Sequence, residues 1–240
     1  VLNSFNDQMG AEFLEALKIC EKDSAVRCAV VSGAGRAFCA GEDLSGHDAA
    51  AGGERGRLGE TLRRRYNPII LRMRSMEKPL IARVNGVAAG AGVSLALACD
   101  LVVASESASF LQAFVKVGLV PDSGATWLLP RLIGLHRAAE LAFFGEKISA
   151  SDAAAMGLIN KVVAAEVLDS VVAQMAEALA QLPTKAIGLM KRMFNASATH
   201  TLEQHLDYEA QCQEIAGLTE DHAEGVRAFF EKRAPNFRGR

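Results

Sequence analysis

Three stretches of the chain carry residue types at spacings that could do chemistry. Ala82 to Asp100, ARVNGVAAGAGVSLALACD, reads as the end of a buried strand, a turn of small residues, and an apolar helix from Gly92 onward. Gly86, Ala88, Ala89 and Gly90 let backbone approach backbone or a ligand, and the helix that follows aims unpaired N–H groups at one point. Such a turn binds an anion or holds an oxygen that is becoming negative. The same residues would equally serve a tight strand-to-helix connection with no chemistry. Its glycines lack the GxGxxG spacing, which excludes a dinucleotide site. A second glycine-punctuated loop, GAGRAFCAGEDL (33–44), also follows a strand. The third stretch, Val-Pro-Asp-Ser-Gly (120–124), places Asp122 and Ser123 just ahead of a helical pattern, where either suits a helix N-cap.

The elements that must position these stretches follow from periodicity. Apolar residues at Phe5, Met9, Phe13, Leu14, Leu17 and Ile19 predict a helix that starts near Asn6 or Asp7. Val26–Ser32 reads as a short buried strand feeding the 33–44 loop. Ser45 to Gly59, rich in Gly, Ala and charge, reads as a mobile loop. Thr61 to Met76 reads as a helix interrupted near Asn67-Pro68, with Arg63, Arg64 and Arg65 on a solvated face. Strands are predicted at Leu80–Val84 and Asp100–Ala104, and a third from Ala108 that turns at Gly118. Helices are predicted over Gly124–Ile133 and Arg137–Phe144. Ser151-Asp152 caps a short helix, and Ile159–Val163 reads as a strand-like exit. Amphipathic helices then follow at Leu168–Gln181, Thr184–Ala196, Leu202–Ile215 and Thr219–Arg233, closed by Pro235. Short strands alternating with helices and glycine turns predict an α/β protein of stacked β–β–α units with parallel strands.

Composition narrows the partners. A chain of 240 residues that is 50% hydrophobic can bury a sizeable core, and a net charge of −2 with no basic run offers nucleic acid nothing. The five cysteines show neither CxxC nor metal spacing and read as reduced cytosolic thiols. The five histidines are scattered, with no metal spacing, and read as surface residues. Neither a signal peptide nor a membrane-spanning run is visible, so a cytoplasmic location is expected.

In order along nearly the whole chain, GAGRAFCAGEDL, VNGVAAGAG, GLVPDSGATWLLPRLIG, ISASDAAAMGLINKVV and EGVRAFFEKRAPNF resemble the enoyl-CoA hydratase/isomerase (crotonase) superfamily. The resemblance implies a spiral of β–β–α units over 1–180 and a C-terminal helical trimerisation region over 181–240. It puts Val1 after the family's first β-hairpin. It also implies a homotrimer or dimer of trimers, and an acyl-CoA thioester as substrate, with no separate cofactor and no metal. The two loops then gain a common purpose, with the backbone N–H groups of Glu42 and Ala91 holding the thioester oxygen as an enolate forms. On this reading the donors act through backbone, and side-chain changes at 42 should matter less than backbone changes.

The resemblance also says what is missing. Hydratases of the superfamily use two glutamates, which would fall at Ser94 and at Phe114, the latter expected in the strand before Gly118. Asp122 is present instead, at the position where isomerases of ring-epoxide or unsaturated acyl-CoA thioesters carry an acid. The resemblance makes Asp122 a proton shuttle, with Phe38, Phe114 and Trp127 as apolar walls. Ala37, Ala40, Leu44 and Gly90 match substrate-contacting positions, and Phe229 and Lys232 match positions that meet the CoA nucleotide, from the same or a neighbouring subunit. The competing expectations are a hydratase recruiting water through Asp122 with Ser94 or Ser123, and a non-catalytic acyl-CoA-binding subunit.

Overall fold

A computed structural model describes residues 2–43 and 58–240. The chain runs α1 (Asp7–Lys22), β1 (Ala29–Ser32), β2 (Ala37–Cys39), α2 (Leu58–Thr61), a π-helical turn (Leu62–Tyr66), α3 (Asn67–Ser75), β3 (Leu80–Val84), β4 (Val87–Ala89), α4 (Ala91–Ala98), β5 (Leu101–Ser105) and β6 (Ser109–Leu111). A 3-10 turn (Ala113–Val117) leads to α5 (Ala125–Phe144), β7 (Lys147–Ser149), α6 (Ala150–Ala155), β8 (Lys161–Val163) and α7 (Leu168–Gln181). Three helices close the chain: α8 (Thr184–Ser197), α9 (Leu202–Gly217) and α10 (Glu220–Glu231).

The strands deal themselves alternately into two sheets, β1-β3-β5-β8 and β2-β4-β6-β7. Each unit gives one strand to each sheet and then a helix, so the chain climbs as a spiral, all pairings parallel except β6 with β7. Parallel pairing requires the next strand to enter from the same end, which is what the intervening helix supplies. Helix α4 lies inside the spiral. All eight of its residues, AGVSLALA, are buried, and it has no polar face because no side of it meets water. Asn85 stitches the layers, donating to Gly35 O (2.7 Å) and Ala37 O (3.2 Å) while accepting from Gly33 N (3.3 Å).

Several predicted elements change in detail. The first strand begins at Ala29 rather than Val26 and alternates between half-buried and exposed residues, because its outer face is open, with Val30 42% exposed. The 33–44 loop contains a strand, β2, three residues long and fully buried. The predicted mobile loop falls mainly outside the described residues, and its last two positions, Leu58 and Gly59, open α2. The two helices predicted across 124–144 form one element broken at Gly134 (φ 76, ψ 163), a backbone conformation open only to glycine. The cap of α6 is Ser149, two residues earlier than expected, because its Oγ accepts from Asp152 N at 3.0 Å. Strand β7 gives no alternating signal, being three residues of edge. His200 and His205 are not scattered. Their rings lie 5.7 Å apart, beside Tyr208.

The C-terminal helices are fastened to the sheet by charge. Lys191 Nζ in α8, buried, lies 2.7 Å from Asp100 Oδ2, and the same oxygen accepts Leu80 N at 2.9 Å. Burial pulls the Lys191 ammonium down, and the Asp100 charge opposes that pull.

Candidate active site

The two small-residue loops meet edge to edge. Strand β2 pairs with β4 in parallel, and beyond both strands Gly41 (φ 91) faces the Gly90 turn. A Cβ built on Gly41 would lie 3.0 Å from Ala89 O and 3.7 Å from Ala91 N. A Cβ on Gly92 would lie only 2.2 Å from Cys39 O. The closeness of the loops therefore depends on glycine at 92, where there is no room for a side chain.

The two expected donors sit in different local settings. Glu42 makes a single parallel bridge with Phe5, in which Phe5 N donates to Gly41 O (2.7 Å) and Asp43 N donates to Phe5 O (2.8 Å). In a parallel bridge the residue between those two contacts turns its own N–H the opposite way. The Glu42 N–H thus points away from Phe5, toward the side on which β4 and the Gly90 turn lie. Ala91 is the first residue of α4, after Gly90 (φ 52), so its N–H has no acceptor within the helix. Val93 N and Ser94 N both bond back to Gly90 O, at 3.0 and 3.3 Å, which closes the first turn and leaves the amide of Ala91 outside it.

Asp122 occupies the third stretch and does not cap the following helix. The N-cap of α5 is Gly124 (φ 83), which makes no side-chain cap bond, and Ala125 N bonds to the backbone oxygen of Asp122 at 2.9 Å. The cap role fails because Ser123 (φ 51) and Gly124 both take the left-handed region, turning the carboxylate away from the helix start. A non-glycine residue there costs about 1–3 kcal/mol and recurs where a site needs it. Two hydroxyls fix Asp122: Ser94 Oγ donates to its backbone oxygen (3.0 Å) and Ser123 Oγ to Oδ1 (2.8 Å). Burial pushes the Asp122 carboxyl above the usual range, the Ser123 bond pulls it back, and the Glu42 charge adds to the rise. No cation pairs with Asp122 among the described residues.

The carboxylate of Glu42 is differently placed. Arg65 Nη1 reaches both its oxygens, at 2.6 and 2.8 Å, and the Tyr66 hydroxyl donates to Oε2. Burial, then the bond to Glu42, pushes the Tyr66 phenol up. Arg65 is therefore not on a solvated face as the run of arginines suggests. Its side chain is 11% exposed, whereas that of Arg64 is 73% exposed. The Glu42 side chain is the best-anchored carboxylate of the site. A counter-ion for Glu42 is the signal a reader of the sequence could have sought, and Tyr66 next to Arg65 marks which arginine turns inward.

The other candidates divide. Phe114 lies in the 3-10 turn rather than a strand, because the chain must tighten before Gly118, and its ring would meet a Cβ on Gly90 at 3.7 Å. Phe38 is buried in β2. Trp127, 38% exposed, carries Arg131 over its ring at 4.1 Å and so is a solvent-facing wall at most. Ala37 is buried, with its carbonyl taken by Asn3 (2.9 Å) and Asn85 (3.2 Å), which leaves a ligand little to contact. Ala40 is half-buried and donates its N–H to Leu2 O (3.1 Å). Leu44 lies outside the described residues. Phe229 (79% exposed) lines a separate cavity of about 700 Å³ with Pro183, Val226 and Phe237, and Lys232 (φ 54) ends α10. The structure of one chain does not bring these two to Asp122. Among the described residues no group of His, Cys, Asp and Glu could hold a metal ion.

Comparison with known proteins decides the family. The sequence profile described as Enoyl-CoA hydratase/isomerase matches residues 1–240. The chain belongs to the enoyl-CoA hydratase/isomerase family. It is 47% identical over 239 residues to 1,2-epoxyphenylacetyl-CoA isomerase of Escherichia coli (strain K12), covering 100% of this chain and 91% of that one. It is 33% identical over 241 residues to 2,3-dehydroadipyl-CoA hydratase of the same strain, covering 99% and 91%. The crystal structure of enoyl-CoA hydratase from Bacillus anthracis superposes with a TM-score of 0.90 at 34% identity, covering 100% of this chain and 92% of that one. The two-sheet spiral with its C-terminal helices is therefore the crotonase fold.

Proposed function

We propose that this family member is an acyl-CoA isomerase that works through an enolate of a CoA thioester. Asp122 takes a proton from the carbon next to the thioester carbonyl, and the N–H groups of Glu42 and Ala91 receive the charge that develops on oxygen. With a 3-enoyl-CoA, returning the same proton to the fourth carbon of the resulting dienolate moves the double bond from C3–C4 to C2–C3 and restores the Asp122 carboxylate, so no water or cofactor is consumed. One observation carries the reading: of these two carboxylates, Glu42 is occupied by Arg65 and Tyr66, whereas Asp122 has no cation among the described residues. A single base suffices for isomerisation, and a carboxyl raised toward neutrality by burial works well as one that both takes and returns a proton.

Hydration needs a second group to hold water. The glutamate positions of hydratases are Ser94 and Phe114 here, and the hydroxyls of Ser94 and Ser123 are already given to Asp122. The likeness to the Escherichia coli isomerase favours a ring-1,2-epoxyphenylacetyl-CoA, a 3-enoyl-CoA, or both as substrate. Supporting assembly as a trimer or dimer of trimers, Leu218, Phe229, Phe230 and Leu202 of the C-terminal helices are at least 75% exposed, more apolar surface than a lone chain usually leaves to water. Free cysteines among the described residues fit a reducing, cytoplasmic setting, and no described helix is long and apolar enough to cross a membrane.

The test is turnover of a 3-enoyl-CoA to the 2-enoyl isomer beside hydration of crotonyl-CoA. Isomerisation should dominate. Formation of 3-hydroxyacyl-CoA at a comparable rate would return the protein to the hydratases, and CoA affinity with neither reaction would make it a binding subunit.

A further inference from the structure

Among the described residues, the segment beyond β2 makes one bridge, Glu42 to Phe5, beside the bond from Ala40 N to Leu2 O (3.1 Å), and the residue before Glu42 is Gly41, whose φ of 91 lies in the region that favours glycine. The peptide plane that carries the Glu42 N–H is pinned at its oxygen end by Phe5 N. Its other end is the Cα of Glu42, which is held by the next peptide, where Asp43 N donates to Phe5 O (2.8 Å), and from the far side by the Glu42 side chain.

That side chain is gripped from outside the loop. Arg65 uses Nη1 on both oxygens of Glu42 and turns Nε (3.0 Å) and Nη2 (2.5 Å) to Asp7 Oδ1, in the first turn of α1. The Tyr66 hydroxyl takes Glu42 Oε2 a second time. Room for the arginine is built in, since a Cβ on Gly10 would come within 2.6 Å of Arg65 Cγ. Arg65 and Tyr66 both lie on the π-helical turn Leu62–Tyr66, a rare irregularity that concentrates at functional sites. A largely buried ion pair is weak evidence for stability, because desolvation offsets much of its attraction. Five hydrogen bonds around one guanidinium and one hydroxyl, next to a donor whose aim matters, call for another account.

We propose that Arg65 and Tyr66 are positioning residues: by clamping the Glu42 carboxylate they fix the direction of the Glu42 backbone N–H and so set the strength of the oxyanion hole. This rests on the function proposed above. The clamp never touches substrate. It acts through the residue that does.

The test reads the oxygen directly. Phenylacetyl-CoA labelled with ¹³C at the thioester carbon is bound to the full-length protein, and the carbonyl stretch is followed by difference infrared spectroscopy, with kcat, KM and the pH profile measured beside it. Wild type should shift the stretch to lower frequency. Arg65→Met should lose most of that shift and lower kcat about ten- to hundredfold, less than the full loss of a donor, with KM within about threefold. Tyr66→Phe should give a smaller change in the same direction, and Arg65→Lys should recover part of it. Combined with Glu42→Gln, Arg65→Met should add little, since both break the same clamp. Asp122→Asn should keep the shift while losing turnover.

A wild-type carbonyl frequency in Arg65→Met overturns the clamp, whatever happens to kcat. So does a change confined to the pH profile, which would assign Arg65 to the charge around Asp122. If Arg65→Met does not fold, Tyr66→Phe decides, and an unshifted frequency there overturns the proposal. A wild type that binds the thioester without any shift removes the function reading, and the clamp with it.

Discussion

Gly92→Ala should damage catalysis far more than its size suggests. The added Cβ would sit 2.2 Å from Cys39 O and 2.9 Å from Cys39 C and Cβ, backbone and inward-facing atoms that cannot swing aside. Ordinary contact begins at 3.4 Å, so the loop bearing Glu42 and the turn bearing Ala91 must part by about 1 Å. Overpacking of this kind costs about 1–3 kcal/mol of stability. The larger effect is on geometry, where a 1 Å misplacement can cost about a hundredfold in rate. We expect kcat for a 3-enoyl-CoA to fall by about two orders of magnitude, with thioester affinity changed by less than about tenfold. Gly134→Ala is the control. It sits at φ 76 with nothing within 4 Å, so it should cost comparable stability and leave turnover alone. Steady-state kinetics and urea unfolding on both variants separate the two effects. A Gly92→Ala protein with turnover within threefold of wild type would refute the idea that the loops form one two-donor cradle.

The remaining predictions concern what surrounds that cradle. Asp122 titrates higher in the folded chain than the ordinary 3.8, so its contribution favours folding at pH below that value and is lost as pH rises through the folded value. Asp122→Asn should therefore raise Tm at pH 7–8, with the gain vanishing below about pH 4, as calorimetry across pH would show. Lys191→Met leaves Asp100 with the Leu80 N–H and, 3.5 Å away, Arg74, and should cost about 3 kcal/mol in urea unfolding. Ser94→Ala removes one of the two donors to the backbone oxygen of Asp122, leaving Ala125 N, and should cost about 1 kcal/mol of stability with a several-fold loss of kcat, measured by steady-state kinetics and urea unfolding.

Much of this was legible in the chain. Small residues at 86–92 and 33–41 announce close backbone approach because nothing else can pack there, and the structure brings the two loops together. The alternation of strands, glycine turns and helices forecast stacked β–β–α units with parallel strands, since parallel strands must be joined by crossovers, and the family resemblance added the spiral. The missed features are those that distant residues decide. Arg65 looks like Arg63 and Arg64 until the π turn and a glycine at 10 draw it inward to Glu42 and Asp7. Strand β7 is too short to show a period, and its place at the sheet edge is set by β6.

The central claim is that a single carboxylate, Asp122, moves a proton on the carbon beside a thioester held by two backbone N–H groups. Incubating wild type and Asp122→Asn with phenylacetyl-CoA and a linear enoyl-CoA in deuterated water, and following mass, tests it most directly. Wild type should place deuterium at the carbon next to the thioester, and Asp122→Asn should slow that uptake by about a hundredfold or more while still binding the thioester. Exchange in Asp122→Asn at the wild-type rate would contradict the account.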